Sequence, residues 1–294
     1  MIDTILPILR CPLCKAPLAR RDNSLVCAQR HCYDIARQGH VNLAPGHREQ
    51  FYTKQLFESR AAVFAAGLFK PVVDELTAAL DRYLPGASSP DGATQRPDAG
   101  GDAESVTPGL PVVVDAGCGE GYYVKNVCPD RPLTRVGFDL AKDAVRMAAR
   151  GAGDAAFFVA DLANIPLADG CADAVLDVFT PANYAQFGRV LKPGGVLLKL
   201  APRAGYLHEL REAAGDRLRR TSYDGGDVER YAHSRMELLE TRAITYTKAV
   251  APELALHVAR MTPMLAGIDV DALELSGVTR VTIDETLYIG RVRE

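Results

Sequence analysis

Strand-length apolar runs alternate with helical stretches from residue 112 onward. Such runs predict strands buried on both faces, as in a parallel sheet, and the stretches between them predict crossover helices. Two further strands are predicted near the C-terminus, after helical stretches around residues 206–220 and 253–260. The pattern therefore predicts an α/β fold with a mostly parallel, seven-stranded sheet. The predicted strands are Val112–Val114, Thr134–Phe138, Ala155–Val159, Ala174–Phe179, Val196–Leu200, Ala243–Lys248 and Leu287–Val292, and the clearest helices between them are Tyr122–Cys128 and Lys142–Arg150.

The sequence before residue 112 changes composition twice. A cysteine-rich beginning is followed by a helical connector, with one helix predicted over Tyr52–Ala66 and a second after Pro71, a residue that suits the first turn of a helix. A stretch dominated by Gly, Pro, Ser and Asp then predicts a flexible linker. The predicted segments are an N-terminal module over 1–46, a connector over 47–85, a linker over 86–111 and the large domain over 112–294.

Charge is distributed unevenly along the 294 residues. The net charge is −3, yet residues 1–60 carry nine Lys or Arg and five Asp or Glu. A local basic patch can hold phosphates on an acidic protein, and an ordinary solvated surface is the equally weighted alternative. No apolar run reaches the length of a signal peptide core or of the ~20-residue membrane helix, which predicts a cytoplasmic protein that has no membrane partner. The basic residues of this region are Arg10, Lys15, Arg20, Arg21, Arg30, Arg37, Arg48, Lys54 and Arg60.

A glycine-rich turn joins the first predicted strand of the large domain to a helix, in the segment Val112-Val-Val-Asp-Ala-Gly-Cys-Gly-Glu-Gly121. Gly117, Gly119 and Gly121 allow the backbone to turn sharply and to approach a ligand closely. The third glycine stands one position too early for the dinucleotide spacing G-x-G-x-x-G. The G-x-G-x-G spacing after Asp115 instead resembles the first motif of class I, Rossmann-like S-adenosylmethionine-dependent methyltransferases.

Two acids at the ends of the next strands support this interpretation. Asp139 is positioned to accept hydrogen bonds from ribose hydroxyls. By analogy with the class, Asp161 faces the adenine amino group; capping of the next helix is the alternative. The turn Leu191-Lys-Pro-Gly-Gly195 before a strand also resembles the class. The residues predicted to bind S-adenosylmethionine are Asp115, Gly117, Gly119, Gly121, Tyr122, Asp139, Leu140, Asp161 and Leu162.

The cysteines of the N-terminal module have the spacing of a zinc site. Cys11-Pro-Leu-Cys14 forms a C-x-x-C knuckle, and Cys27 and His31 complete a possible Cys₃His tetrahedron. Because the region is too small to bury a core, metal ligation would supply its folding free energy. Cys32, the neighbour of His31, is the alternative fourth ligand.

These features together resemble the bacterial 23S ribosomal RNA (guanine-N1)-methyltransferases of the RlmA type, which include macrolide-resistance enzymes. The resemblance covers nearly the whole chain except the linker. Because a generic methyltransferase lacks the N-terminal run, that run is the most specific part. The matching segments are Cys11-Pro-Leu-Cys14, Cys27-Ala-Gln-Arg-His31, Tyr33-Asp-Ile-Ala-Arg37, Gly39-His-Val-Asn-Leu43, Asp115-Ala-Gly-Cys-Gly-Glu-Gly-Tyr-Tyr123, Phe179-Thr-Pro-Ala-Asn-Tyr184 and Met261-Thr-Pro263.

The resemblance implies a 23S rRNA substrate, S-adenosylmethionine and zinc as cofactors, a zinc module that contacts RNA, and a homodimer. His31 rather than Cys32 is then the preferred zinc ligand. The substrate site is expected in the loop after the fourth strand, where Phe179 or Tyr184 stacks on the base and Asn183 reads its edge. Asp177 is the candidate general base. Ordinary core packing is the alternative for the two aromatics.

Two other functions remain open from the sequence. The first is a methyltransferase that acts on a small molecule or natural product, in which the zinc module would serve as a lid or a dimerisation element. The second is a zinc-dependent RNA-binding regulatory protein that has no catalytic activity and uses the cofactor site only as a sensor.

Overall fold

The computed structural model of the protein describes residues 2–46, 53–86, 109–218 and 225–293. Most of the predicted linker and the predicted helix start at Tyr52 lie outside these residues. The N-terminal module contains a three-stranded antiparallel sheet and a short fourth strand. Its strands are β1 (Leu18–Arg21), β2 (Ser24–Cys27), β3 (Cys32–Asp34) and β4 (Val41–Asn42).

The two connector helices form where the sequence predicts them. They are α1 (Lys54–Ala65) and α2 (Lys70–Tyr83). Thr53 caps α1 by accepting a hydrogen bond from a backbone N–H of its first turn, and Pro71 lies in the first turn of α2. The apolar face of α2 is buried in the largest hydrophobic cluster, which also contains residues of the sheet of the large domain. Both helices therefore pack on that domain.

The large domain alternates strands and helices as expected. Its elements are β5 (Val112–Ala116), α3 (Tyr122–Asn126), β6 (Thr134–Asp139), α4 (Lys142–Ala149), β7 (Ala156–Val159), β8 (Ala172–Val178), α5 (Tyr184–Val190), β9 (Leu191–Pro202), α6 (His208–Ala214), α7 (Gly226–Arg235), β10 (Met236–Ala249), α8 (Pro252–Met261) and β11 (Arg280–Val292).

The main sheet has the strand order β10-β11-β9-β8-β5-β6-β7-β4. β10 and β11 are antiparallel, as is the pair β11 and β9, whereas the remaining neighbours are parallel. The large domain supplies the seven predicted strands, and β4 of the N-terminal module adds an eighth that the sequence did not indicate. β5 and β8 are paired neighbours at the point where the strand order reverses, and open α/β sheets bind their ligands in a crevice at the carboxyl ends of such strands.

Some boundaries differ from the prediction for local reasons. β8 ends at Val178 because Phe179 adopts a φ of 57°, in the left-handed region. The predicted turn over residues 191–195 forms the irregular beginning of β9, where the register with β8 shifts. β10 and β11 are longer than predicted, and α7 has no counterpart among the predicted helices. Every helix in the described parts of the chain is too short or too polar to span a lipid bilayer.

Candidate active site and zinc site

A cavity of about 1100 Å³ lies at the carboxyl ends of β5, β6, β7, β8 and β9. A pocket for one drug-sized ligand measures roughly 300–1,000 Å³, so this cavity is large enough for a nucleoside cofactor together with part of a substrate. Five of the residues predicted to bind the cofactor line it. These residues are Gly117, Asp139, Leu140, Asp161 and Leu162.

The glycine-rich loop forms one wall of the cavity. Gly117 and Gly119 have φ values of 77° and 54°, which residues with a Cβ rarely adopt. A Cβ at Gly117 would lie 2.3 Å from Thr180 Oγ1, so the loop following β8 packs directly on the glycine backbone. The sequence spacing therefore reflects a close approach of two loops as well as a sharp turn.

Two of the other predicted cofactor residues, Asp115 and Tyr122, do not line the cavity. Asp115 is 1% exposed and accepts a hydrogen bond from the Val124 backbone N–H at 3.3 Å. Burial raises the pKa of this carboxyl to about 7, opposed by that hydrogen bond. Tyr122 stacks on Phe64 of α1, with ring centroids 4.0 Å apart, and does not line the cavity; the neighbouring Tyr123 does. Asp115 and Tyr122 thus pack behind the glycine loop, where they contact α3 and α1 rather than the cavity.

The two acids at the strand ends both face the cavity. Asp139 accepts hydrogen bonds from the backbone N–H groups of Gly119, at 2.9 Å, and Ala141, at 2.8 Å. A carboxylate oxygen can accept more than one hydrogen bond, so these two contacts are compatible with a ribose hydroxyl as a further donor. Asp161 is exposed, accepts a hydrogen bond from the Ala163 N–H at 2.8 Å and caps the 3₁₀ turn Leu162–Asn164. Capping and lining of the cavity are therefore both observed for Asp161.

Replacing Asp139 by alanine is expected to weaken S-adenosylmethionine binding roughly 10- to 150-fold, because hydrogen bonds to a charged group contribute about 1.5–3 kcal/mol. Isothermal titration calorimetry measures the change. The matched control is Asp143→Ala, which removes an exposed carboxylate of α4 that pairs with Arg146 outside the cavity. Equal affinities of the Asp139 variant and the control would exclude the ribose role.

Arg60 of α1 enters the same cavity, which the sequence did not indicate. Its Nε lies 3.2 Å from Glu120 Oε1, and its guanidinium packs over the rings of Phe57 and Phe64. A Cβ built on Gly119 would lie 3.3 Å from Arg60 Nη2, which places the cation against the glycine loop. A guanidinium at this point is suited to the carboxylate of the methionyl part of the cofactor.

The residues predicted to act on the substrate divide into two groups. Phe179 is 38% exposed, lines the cavity and contacts Phe69 and Tyr206. Asn183 also lines the cavity, while its side chain accepts a hydrogen bond from the Gln186 N–H and caps α5.

Tyr184 and Asp177 do not line the cavity. Tyr184 is 5% exposed and packs against Phe187 and Tyr231, so the core-packing alternative holds for this ring. Asp177 is fully buried, and its Oδ2 accepts a hydrogen bond from Lys199 Nζ at 2.9 Å. Burial raises the pKa of Asp177 to about 6, opposed by Lys199. This carboxylate therefore lies beneath the cavity floor rather than against a substrate.

Lys199 lines the floor of the cavity near Phe179 and carries a positive charge there. Its ammonium donates hydrogen bonds to Asp177 and, at 3.1 Å, to the Thr180 carbonyl. An ammonium has three N–H donors, so one remains for a ligand. The register of the sheet pairs Asp177 directly with Lys199 on the neighbouring strand, which fixes both side chains on one face.

The four predicted zinc ligands converge in the N-terminal module. The ligand atoms of Cys11, Cys14, Cys27 and His31 all lie within 4.8 Å of one another. His31 Nδ1 is 3.4 Å from the sulfurs of both Cys11 and Cys27, and the sulfurs of Cys14 and Cys27 are 3.6 Å apart. A tetrahedral zinc ion with Zn–S of about 2.3 Å requires ligand separations of about 3.5–3.8 Å. The donor set and its spacing therefore fit Zn²⁺, whereas Cys32 is exposed and outside the cluster.

The N-terminal part of the chain matches the family model described as "RlmA, N-terminal" over residues 9–50, and residues 113–195 match the model "Methyltransferase domain". A Streptomyces fradiae protein named "23S rRNA (guanine(748)-N(1))-methyltransferase" is 31% identical over 99% of both chains. A Bacillus subtilis protein named "Putative 23S rRNA (guanine-N(1)-)-methyltransferase YxjB" is 31% identical over 96% of both chains. The chain belongs to the 23S rRNA (guanine-N1)-methyltransferase family. A Micromonospora griseorubida relative with the same kind of name is 37% identical over 73% of this chain and 72% of its own.

In this member of the 23S rRNA (guanine-N1)-methyltransferase family, the zinc module is joined to the wall of the cofactor cavity. Asn164 Nδ2, in the 3₁₀ turn after Asp161, donates to the carbonyl of Pro12 in the zinc knuckle at 3.0 Å, and Lys15 bonds to Asn164. β4 pairs in parallel with β7, the strand that leads to Asp161. The two modules therefore share a boundary beside the predicted adenine site.

The positive charge of residues 1–60 is not all available to RNA. Arg60 points into the cavity, and Arg20 pairs with Asp3 at 2.6 Å. Arg21 and Arg30 are exposed. The expectation of a basic N-terminal surface therefore applies to fewer residues than the count suggests.

Proposed function

We propose that the protein transfers a methyl group from S-adenosylmethionine to N1 of a guanine in a hairpin loop of 23S rRNA. The observation that carries the proposal is the single cavity that joins the glycine loop and Asp139 to the exposed ring of Phe179. The family membership supports the RNA substrate. The cytoplasm, where ribosomal RNA is made and assembled in bacteria, is the proposed site of action. A homodimer is proposed from the family resemblance.

The position of guanine N1 explains why a deep cavity is needed. N1 lies on the Watson–Crick edge, so the enzyme must take an unpaired base or turn one out of the helix. Phe179 offers an aromatic face at the end of β8, held in a backbone conformation that non-glycine residues rarely adopt. Such an exposed, conformationally restricted ring is suited to stacking on an everted base.

Methylation at N1 of guanine requires the loss of the N1 proton. When bound, S-adenosylmethionine would supply an electrophilic methyl group and leave as the neutral thioether S-adenosylhomocysteine, so that a bond to N1 replaces the S–CH3 bond. The N1 proton must leave before or during that step. As it leaves, negative charge develops over N1 and O6 of the base, and the incoming methyl group neutralises it. We propose that Lys199, fixed by Asp177 and the Thr180 carbonyl, stabilises this charge from the cavity floor. In this proposal, Asp177 positions Lys199, and the proton passes to solvent.

A methyl-transfer assay tests the function directly. The purified protein is incubated with labelled S-adenosylmethionine and unmodified 23S rRNA, and the digested nucleosides are separated. Incorporation as 1-methylguanosine is expected. Cofactor binding without transfer to RNA would contradict the proposal and would favour a small-molecule substrate or a regulatory protein without catalysis.

Replacing Phe179 by alanine is expected to reduce kcat/KM for rRNA by roughly 5- to 150-fold, because stacking contributes about 1–3 kcal/mol for each base. Phe179→Tyr keeps the ring and should retain most activity. The matched control is Tyr231→Ala, which removes an aromatic that is 49% exposed and does not line the cavity. If the Phe179→Ala and Tyr231→Ala variants lose activity equally, Phe179 has no specific role in holding the base.

A further inference from the structure

Two arginines that follow β9 line the same cavity as the glycine loop. Arg211 lies on α6 and is partly buried, and Arg217 lies in the next 3₁₀ turn and is exposed. Arg211 Nη2 donates to the Tyr206 carbonyl at 3.4 Å, and Arg217 Nη1 donates to the Ala272 carbonyl at 3.2 Å. Within the part of the chain that the structure describes, neither guanidinium forms an ion pair.

Among the described residues, this lack of an acidic partner distinguishes the pair from several other arginines of the same domain. The neighbouring acids Glu212 and Asp216 neither line the cavity nor form ion pairs with the two arginines. The chain has 37 acidic and 34 basic residues, so carboxylates are not scarce. Arg211 and Arg217 therefore retain their charge for a ligand. Arginines of the same domain that do pair with carboxylates are Arg203, Arg242 and Arg260.

The strand order indicates which ligand the two cations face. The predicted cofactor acids Asp139 and Asp161 follow β6 and β7, on one side of β5, whereas α6 follows β9 on the other side. Arg60 lies at the glycine loop, where the charged end of the cofactor is expected. Arg211 and Arg217 thus belong to the substrate half of the cavity, where Arg211 bonds to the carbonyl of Tyr206 and the Tyr206 ring contacts Phe179.

An RNA substrate brings negatively charged phosphates to the substrate half of the cavity. Guanine is neutral, but a nucleotide of an RNA chain has a phosphate on either side of its sugar. When the base enters the cavity, these phosphates remain at its mouth. A planar guanidinium binds phosphate oxygens in a bidentate manner, which suits Arg211 and Arg217 to this role.

We infer that Arg211 and Arg217 bind the phosphates that flank the target nucleotide and so hold the RNA backbone while the base is inserted. This inference rests on the proposed rRNA substrate. Phosphate contacts fix the register of a nucleic acid without reading its sequence. The specificity for guanine then belongs to other groups of the cavity.

The test compares binding of a 23S rRNA hairpin transcript at several salt concentrations with steady-state methyl transfer. The variants are Arg211→Gln, Arg217→Gln and the charge-conserving Arg211→Lys and Arg217→Lys. Each glutamine variant should weaken RNA binding on the order of tenfold and raise KM more than it lowers kcat. The slope of log affinity against log salt should become shallower by about 0.7–0.9 for each phosphate that the protein no longer neutralises, and the lysine variants should restore it.

The matched control is Arg291→Gln, because Arg291 is exposed at the far end of β11 and does not line the cavity. Unchanged zinc content and S-adenosylmethionine affinity show that a variant is folded. RNA curves identical to wild type in both glutamine variants would overturn the inference while the proposed function stands. A parallel loss of cofactor affinity would instead assign the arginines to the cofactor. Absence of RNA binding and methyl transfer in the wild-type protein would refute the proposed function, and the inference with it.

Discussion

Replacing Gly119 by valine is expected to lower the affinity for S-adenosylmethionine at least about 100-fold. The backbone at Gly119 has a φ of 54°, and a β-branched residue held there carries strain of order 1–3 kcal/mol. The new Cβ would lie 3.3 Å from Arg60 Nη2, so the valine methyls would displace that guanidinium. A shifted loop would also break the hydrogen bond from the Gly119 N–H to Asp139. The backbone strain, the displaced guanidinium and the broken hydrogen bond all weaken cofactor binding.

Calorimetry with S-adenosylmethionine measures this effect. The matched control is Gly153→Val, since Gly153 has a φ of 59° but no heavy atom within 4 Å of a Cβ built there. The control shares the backbone strain and should keep wild-type cofactor affinity. Both variants should retain one zinc per chain. Wild-type affinity in Gly119→Val would contradict the assignment of this loop to the cofactor.

Loss of one zinc ligand is expected to remove the metal and unfold the N-terminal module. Zinc binding contributes about 10–16 kcal/mol of apparent free energy in zinc-finger peptides at neutral pH, and the packing of the module's apolar residues on the large domain does not replace the metal–ligand bonds that hold its loops together. Cys11→Ser and His31→Ala should therefore both abolish zinc retention and lower the thermal unfolding midpoint. Burial raises the pKa of the Cys11 thiol, but hydrogen bonds outweigh this effect and lower that pKa to about 6. The hydrogen bond with Tyr33 lowers it most.

Elemental analysis of purified variants decides the fourth ligand. Cys32→Ala is the matched control, because Cys32 neighbours His31 in the chain but is exposed and outside the cluster. It should retain one zinc per chain. A Cys32→Ala variant that lost the metal, beside a His31→Ala variant that kept it, would show that the ligand set is wrong.

The parts of the fold that were predictable depend on local patterns. β5 and β8 are buried on both faces, so their apolar runs are continuous and identify them as strands. The glycine-rich loop comes directly after β5, and Asp139 ends β6, so both could be assigned once these strands were identified. In the N-terminal module, β1 is four residues long with a single buried position, which leaves no periodic signal to detect.

The parts that sequence reasoning missed depend on distant partners. In the sequence analysis, Arg60 is grouped with the basic residues of the N-terminal region. Its partner Glu120 lies 60 residues further along the chain, so no local pattern indicates that Arg60 packs against Glu120 and the glycine loop. The burial of Asp177 against Lys199 was not foreseen because Lys199 lies on the neighbouring strand, and only the sheet register brings the two together; its role as a base stays a prediction. Tyr184 is close to Phe179 in the chain, yet the turn between them sends one ring to the cavity and the other to the core.

The hydrogen bond between Pro12 and Asn164 provides a physical connection through which metal binding and cofactor binding can be coupled. Pro12 lies inside the zinc knuckle, and Asn164 closes the short turn that carries Asp161 and Leu162 into the cavity. If zinc orders that turn, removing zinc weakens cofactor binding by some factor, and reciprocity requires the cofactor to tighten zinc binding by the same factor. A coupling free energy of about 1–3 kcal/mol is typical of linked sites. A zinc site that binds its metal tightly would stay saturated despite a change of this size, so the zinc content alone would not reveal the coupling. The coupling would then be visible as slower loss of zinc to a chelator when S-adenosylmethionine is bound.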